Sequence, residues 1–238
     1  MLLPLGSAVD LPFACHGKGS LVSPSVARYG NWHNIPLFGT LDKRAMHDHL
    51  IATIRQRVNL TDEEAATFGR FFIPRKYRKR QYVLNAGDKC QYLLFVAKGL
   101  LRSFTVSDNG DEHVMQFAME GAWITDMGSF LSGEDAIYNI EALEDAELLL
   151  LTREGMEELI ETIANVERYF RVLMQNSIMA LQRRIRLTQM YSAEEAYLQI
   201  MELQPDVFNR APLQHIASYL GITPETLSRI RKQVSVKR

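Results

Sequence analysis

The chain has 238 residues, room for one or two domains, and its 47% hydrophobic and 23% charged residues exclude a disordered polymer. Lys+Arg 27 against Asp+Glu 28 gives a net charge of −1, so bulk charge selects no partner, and no apolar run approaches the roughly 18 residues of a membrane-spanning helix. Two cysteines, Cys15 and Cys90, exclude a disulfide framework and any site needing four thiolates, and they suit a reducing cytoplasm.

Residues 1–45 hold Gly, Pro, Ser and His without sustained periodicity and read as an irregular extension. Pro4 and Pro12 interrupt its apolar start and no basic segment precedes it, so it does not fit a signal peptide. Met46 is a candidate start of the organised chain, which begins near His47. From about Arg70 to Leu151, short β-rich runs alternate with glycine turns: Tyr82–Leu84, Tyr92–Val96, Leu100–Val106, His113–Phe117, Ile137–Ala142 and Ala146–Leu151. Even spacing of short strands predicts a β-barrel or sandwich with no helix of useful length inside it. Asn109-Gly110 predicts a type I′ hairpin.

From Arg153 the period becomes helical, with Met156, Leu159, Ile160 and Ile163 on one face. A long helix then runs from about Val166 to Met190. Its main stripe is Phe170, Met174, Ile178, Leu181 and Ile185, with Tyr169 and Leu173 alongside. Two apolar faces need two covers: the β domain on one side and a second copy of the chain on the other. The five stripe residues are the expected dimer interface. Ser192 and Glu195 form a capping box for a short helix that Pro205 ends.

Leu213–Lys232 carries the most specific pattern. Ala217 is small where two helices would cross, and Gly221 can end the first helix left-handed. Ile216, Leu220, Ile222, Leu227 and Ile230 make a shared core, while Thr223 and Pro224 open the second helix. This predicts a helix-turn-helix whose second helix leaves Glu225, Thr226, Ser228, Arg229, Arg231 and Lys232 outside for DNA. A carboxylate at Glu225 can accept from cytosine N4, and the Arg229 guanidinium can donate twice to guanine. Glu225 and Arg229, four apart, also suit a surface ion pair. Residues 205–238 hold six basic and two acidic residues, whereas 111–164 hold fourteen acidic residues and the single base Arg153. A phosphate backbone would seek the first segment and avoid the second. The basic run Arg70, Arg75, Lys76, Arg78, Lys79 and Arg80 suits either a solvated strand face or DNA.

Tyr82–Gly99 (YVLNAGDKCQYLLFVAKG) resembles the opening signature of the cyclic-nucleotide-binding β-roll, with Gly87-Asp88 at the turn and Gly99 closing it. With a long helix and a helix-turn-helix following, residues 50–233 resemble the Crp/Fnr family of bacterial transcription regulators. The resemblance implies an α+β fold: a jelly-roll-like double-stranded β-helix effector domain over 46–163 and a dimerisation helix over 164–191. A DNA-binding domain without an evident wing would fill 192–238. It also implies a homodimer on double-stranded DNA at two-fold-symmetric sites, with RNA polymerase as a further partner and a cytoplasmic setting without membrane contact. Cyclic-AMP-binding members carry Gly-Glu and then Arg-Ser or Arg-Thr. Here Thr125-Asp126 and Ala136-Ile137 stand in those places, and no Arg or Lys lies between Arg102 and Arg153. A buried phosphate would lack a counter-charge, so cyclic AMP is not the expected effector. Arg183 and Arg184 stand where relatives place Thr-Ser against adenine. Phe117, Trp123, Asp126 and Tyr138 fall on the family's pocket wall and are the candidate pocket for an unknown effector. Glu225, Ser228 and Arg229 match the Fnr-branch readers, which implies a TTGA-like half-site. No nucleophile–base pair, phosphate-cradling glycine loop or metal-ligand cluster is legible, so neither catalysis nor a cofactor or metal is expected. A signalling module whose helical tail contacts a protein is the alternative reading.

Overall fold

Asp42 accepts the amide of Ala45 and caps the first helix, α1 (Lys43–Arg55). The computed structural model describes residues 42–236, so the extension expected over 1–45 lies outside them except for its last four residues. α1 buries Met46, Leu50 and Ile54, one residue per turn, too narrow a stripe to stand out in the sequence. A Thr61–Glu64 capping box starts α2 (Asp62–Gly69), which buries Phe68.

Eight strands follow. β1 (Phe72–Tyr77), β2 (Tyr82–Leu84), β3 (Tyr92–Lys98), β4 (Leu101–Val106) and β5 (Glu112–Ala118) precede β6 (Trp123–Ile124). After α3 (Met127–Ser132) come β7 (Asn139–Ala142) and β8 (Ala146–Thr152). They form two antiparallel four-stranded sheets, β1-β8-β3-β6 and β2-β7-β4-β5, as a jelly-roll-like β-roll. β1 escapes a sequence reading because Pro74, Arg75 and Lys76 break its apolar pattern; it is an edge strand, where proline and charge are tolerated. The β4–β5 turn is not type I′, since that turn needs two positive φ angles. Only Gly110 has one (φ 85), and its amide closes on the Ser107 carbonyl at 2.9 Å. The six-residue α3 falls inside the β region, where no helix of useful length was expected.

The helical part comprises α4 (Arg153–Thr162), α5 (Val166–Met190), α6 (Ala193–Leu203), α7 (Pro205–Arg210), α8 (Leu213–Leu220) and α9 (Pro224–Val236). The capping box at Ser192 and Glu195 forms. Pro205 does more than stop α6: it occupies the first turn of α7, where its missing amide costs nothing. One core lies between the sheets, closed by α1, α4 and the start of α5. The other lies on the outer face of β4 and β5, covered by α6, α8 and α9. The described residues, 42–236, fall in one unit, so the helical domain is docked on the β-roll. Among the described residues no helix is long and apolar enough to cross a membrane.

Candidate nucleic-acid interface

The helix-turn-helix is assembled around buried Ile216, Ala217, Leu220, Leu227 and Ile230. Gly221 ends α8 in the left-handed region (φ 70), where an L side chain would be strained. Thr223 caps α9, its hydroxyl taking the Thr226 amide at 3.2 Å. Glu225, Ser228, Arg229, Arg231 and Lys232 are exposed on α9, whereas Thr226 is half-buried. The Arg229 guanidinium donates to the Thr226 hydroxyl at 3.2 Å, so Thr226 orients Arg229 in the position the sequence assigned to a Glu225–Arg229 ion pair. The Glu225 carboxyl lies below the usual carboxylate range through its own backbone amide, the Thr223 hydroxyl and the Arg229 charge. The face therefore presents a carboxylate and a guanidinium, side by side, to whatever α9 enters.

Behind that face the domain is tied to the β-roll by polar bonds that a sequence reading misses. Arg102, buried on β4, bonds Glu141 of β7 (2.9 and 2.6 Å), Glu112 of β5 and Nδ1 of His215 on α8 (2.9 Å). Nδ1 must accept there, which leaves the proton of a neutral imidazole on Nε2. Burial and then the Arg102 charge push the His215 pKa below its ordinary value, opposed by Glu112 and Glu141. Arg210 clamps Glu120 and Glu144 at 2.6–3.1 Å. Burial opposes ionisation of Glu120, but Arg210 and backbone amides outweigh it and hold the carboxyl at about 2. Ser218 of α8 accepts the Val114 amide and donates to the Glu112 carbonyl. Arg184 of α5 donates to the carbonyls of Val114 and Met115 and lies 4.8 Å from the Tyr219 ring centroid. It binds backbone and α8, a different use from the adenine-facing place of its counterpart. The only sequence signal for the Arg102 cluster was a lone arginine inside an apolar strand.

The expected effector pocket is not what these side chains build. Phe117 points out of the roll and packs edge-on against Tyr219 of α8 at 5.3 Å. Trp123 points inward, 5.2 Å from Phe95, and donates its indole N–H to Tyr169 at 2.9 Å. The two lie in different cores and cannot line one cavity. Asp126 is buried and caps α3; its oxygens accept the amides of Ser129, Ile137 and Tyr138. Tyr138 is half-buried beside these amides. The long-helix stripe also divides. Phe170 turns into its own β-roll core beside Trp123 and leaves the expected interface. Met174 is half-buried, and Ile178, Leu181 and Ile185 are 57%, 54% and 47% exposed, an apolar row left uncovered among the described residues.

Residues 74–163 match the family described as the cyclic nucleotide-binding domain. The chain is 26% identical over 170 residues to the regulatory protein HlyX of Actinobacillus pleuropneumoniae, covering 64% of this chain and 68% of that protein. It is 26% identical over 166 residues to the fumarate and nitrate reduction regulatory protein of Vibrio cholerae, covering 64% and 65%. The matches thus span about two thirds of these relatives. The structure of FixK2 from Bradyrhizobium japonicum superposes with a TM-score of 0.61 at 21% identity, over 70% of this chain and 85% of that one. The relatives are named as regulators and none as an enzyme.

Proposed function

We propose that the chain is a transcription regulator of the Crp/Fnr type that acts as a homodimer and reads a two-fold-symmetric DNA site through α9. The observation that carries the reading is the outer face of α9. Glu225, Ser228 and Arg229 are exposed together near its N-terminus, and Arg229 is oriented by Thr226. That end of a recognition helix meets base edges, while the helix before it crosses the backbone. The exposed Ile178–Leu181–Ile185 row on α5 supports pairing with a second copy. Two half-sites then lie about one helical turn apart. Cyclic AMP is not the controlling ligand in this reading: Asp126 already satisfies the amides of Ile137 and Tyr138, and no Lys or Arg lies between 103 and 152.

Binding-site selection with wild type and Arg229→Ala tests the reading. Wild type should return a two-fold-symmetric motif with TTGA-like halves. Arg229→Ala should lose about 1–3 kcal/mol on that site and relax one base pair. Identical motifs from both proteins would make Arg229 a phosphate clamp and refute the assignment of the reading face.

A further inference from the structure

We infer that Arg184 sets the half-site spacing this protein accepts, by fixing α8, and α9 with it, to the half of α5 that carries the uncovered apolar row. The inference rests on the DNA reading above. The start of α5 is held in the β-roll core by Val166, Tyr169 and Phe170. Phe170 and Arg184 are about 21 Å apart along the helix axis, at ~1.5 Å per residue. From Ser177 to Met190 every residue is exposed except half-buried Arg184 and buried Leu187. These two side chains, one turn apart, are the ones this half of α5 buries against its own chain. Leu187 enters the apolar core on the outer face of β4 and β5. Apolar contact is non-directional and tolerates sliding. A fixed direction has to come from Arg184.

The guanidinium supplies it. It donates to the carbonyls of Val114 (2.7 Å) and Met115 on β5, and lies 4.8 Å from the Tyr219 ring centroid on α8. Met115 is the residue left over where the β4–β5 register shifts, since Ser103 faces Gln116 and Phe104 faces Val114. Such a bulge leaves backbone groups off the ladder, open to a side-chain donor. Ser218 of α8 takes the neighbouring groups: it accepts the Val114 amide at 2.9 Å and donates to the Glu112 carbonyl at 2.6 Å. α5 and α8 thus meet on the same stretch of β5. α8 shares a core with α9 through Ile216, Ala217, Leu220, Leu227 and Ile230, so the reading face moves with it. The Arg102 and Arg210 clusters tie this domain to the β-roll, but neither includes a residue of α5. Ile185 of the uncovered row follows Arg184 directly, so the surface for a second copy and the surface for DNA are joined across one side chain. Adding one base pair moves a half-site by about 3.4 Å and about 35°. Two donors aimed at fixed carbonyls leave no such slack. Lysine keeps the charge but lacks the planar fork that reaches both carbonyls from over the ring.

The test uses the full chain as wild type, Arg184→Lys, Tyr219→Leu and the control Arg183→Gln, at the exposed neighbour of Arg184. Two copies of the half-site that wild type selects are set at gaps varied one base pair at a time, and affinity is measured at each gap. A half-site out of register forfeits a base contact, so wild type should prefer one gap over its neighbours by roughly tenfold, and Arg184→Lys should flatten that to within about threefold. The selected half-site sequence should stay the same. Tyr219→Leu removes the α8 side of the link and should flatten the preference in part, whereas Arg183→Gln should match wild type. Arg184→Lys with the wild-type gap preference, even at lower overall affinity, overturns the inference and leaves Arg184 a structural contact. Equal flattening in Arg183→Gln also overturns it, because charge alone would then be the cause. So does a monomeric Arg184→Lys in light scattering, which would place Arg184 in the seam between copies. Where Arg184→Lys fails to fold, Tyr219→Leu decides: a flattened preference supports the inference and an unchanged one overturns it. A wild type that selects no two-fold motif would sink the DNA reading itself.

Discussion

The two faces of the β2-β7-β4-β5 sheet bury side chains in opposite ways. Its inner face sets Leu101, Ala118, Ile140 and Ala142 into the apolar core of the roll. Its outer face is also covered, by α6, α8 and α9, yet it holds Arg102 and Glu141 at 3% and 8% exposure among Leu100, Phe104, Val114 and Phe117. The difference is one of partners. The inner face meets residues of its own domain and needs only shape. The outer face meets a second domain: Arg102 pairs with Glu112 and Glu141 of its own sheet and reaches His215 of α8, and Arg210 of α7 reaches Glu120 and Glu144. Dispersion and water exclusion hold the first face, whereas directed charge-assisted hydrogen bonds help to hold the second. A charged joint is also one that pH and substitution can loosen without emptying the core.

The largest effect is expected in the inner core. Trp123→Ala removes contacts to Phe95 and Phe170 and the bond to Tyr169, and should cost about 3–5 kcal/mol in urea unfolding. At the junction, Arg102→Met leaves the buried Glu141 carboxylate without its cation and should cost roughly 3 kcal/mol. Adding Glu141→Gln should recover most of that loss, because the stranded charge is then gone. A neutral Arg102→Met would break the comparison, since the outer face would then be held by packing alone.

A smaller effect follows from His215. Its folded pKa is depressed, so its contribution to docking is complete above about 6.5 and is lost as pH falls below that value. Facing it are Arg102, Glu112 and Glu141. The protection factors of the α8 amides, exchange corrected for its intrinsic pH dependence, should therefore fall between pH 7 and pH 5.5 in wild type and stay flat in His215→Gln. The smallest effect is at Arg210. Glu120, held at about 2, stabilises the docked state above the unfolded carboxyl value near 4.5, and this support fades as pH falls towards 2. The pair is about one-third exposed, so Arg210→Gln should cost less than about 1 kcal/mol at pH 7 and flatten the acid limb.

Much was legible from local pattern. β2 and α5 lie at the expected bounds, and the Ser192 capping box and the left-handed Gly221 form as read. These features depend on residues within a few positions of each other, and period and capping chemistry encode them directly. β1 and α1 were illegible because edge position and burial against distant strands, not their own pattern, make them stable.

The candidate site divides in the same way. The outward set on α9 follows from helical phase once Leu227 and Ile230 are placed inside. Which partner each polar group finds does not follow. Trp123 and Phe117 alternate with their neighbours as strand residues should, but only the stacking of α5 and α8 decides that one faces the roll interior and the other the helix-turn-helix. Arg102 and His215 stand 113 residues apart in the chain, and no periodicity reaches that far. Local spacing specified the elements and the exposed face of α9. Their non-local packing alone determined which charges were buried together, because pairing across domains depends on where two surfaces meet and not on the order of residues within either.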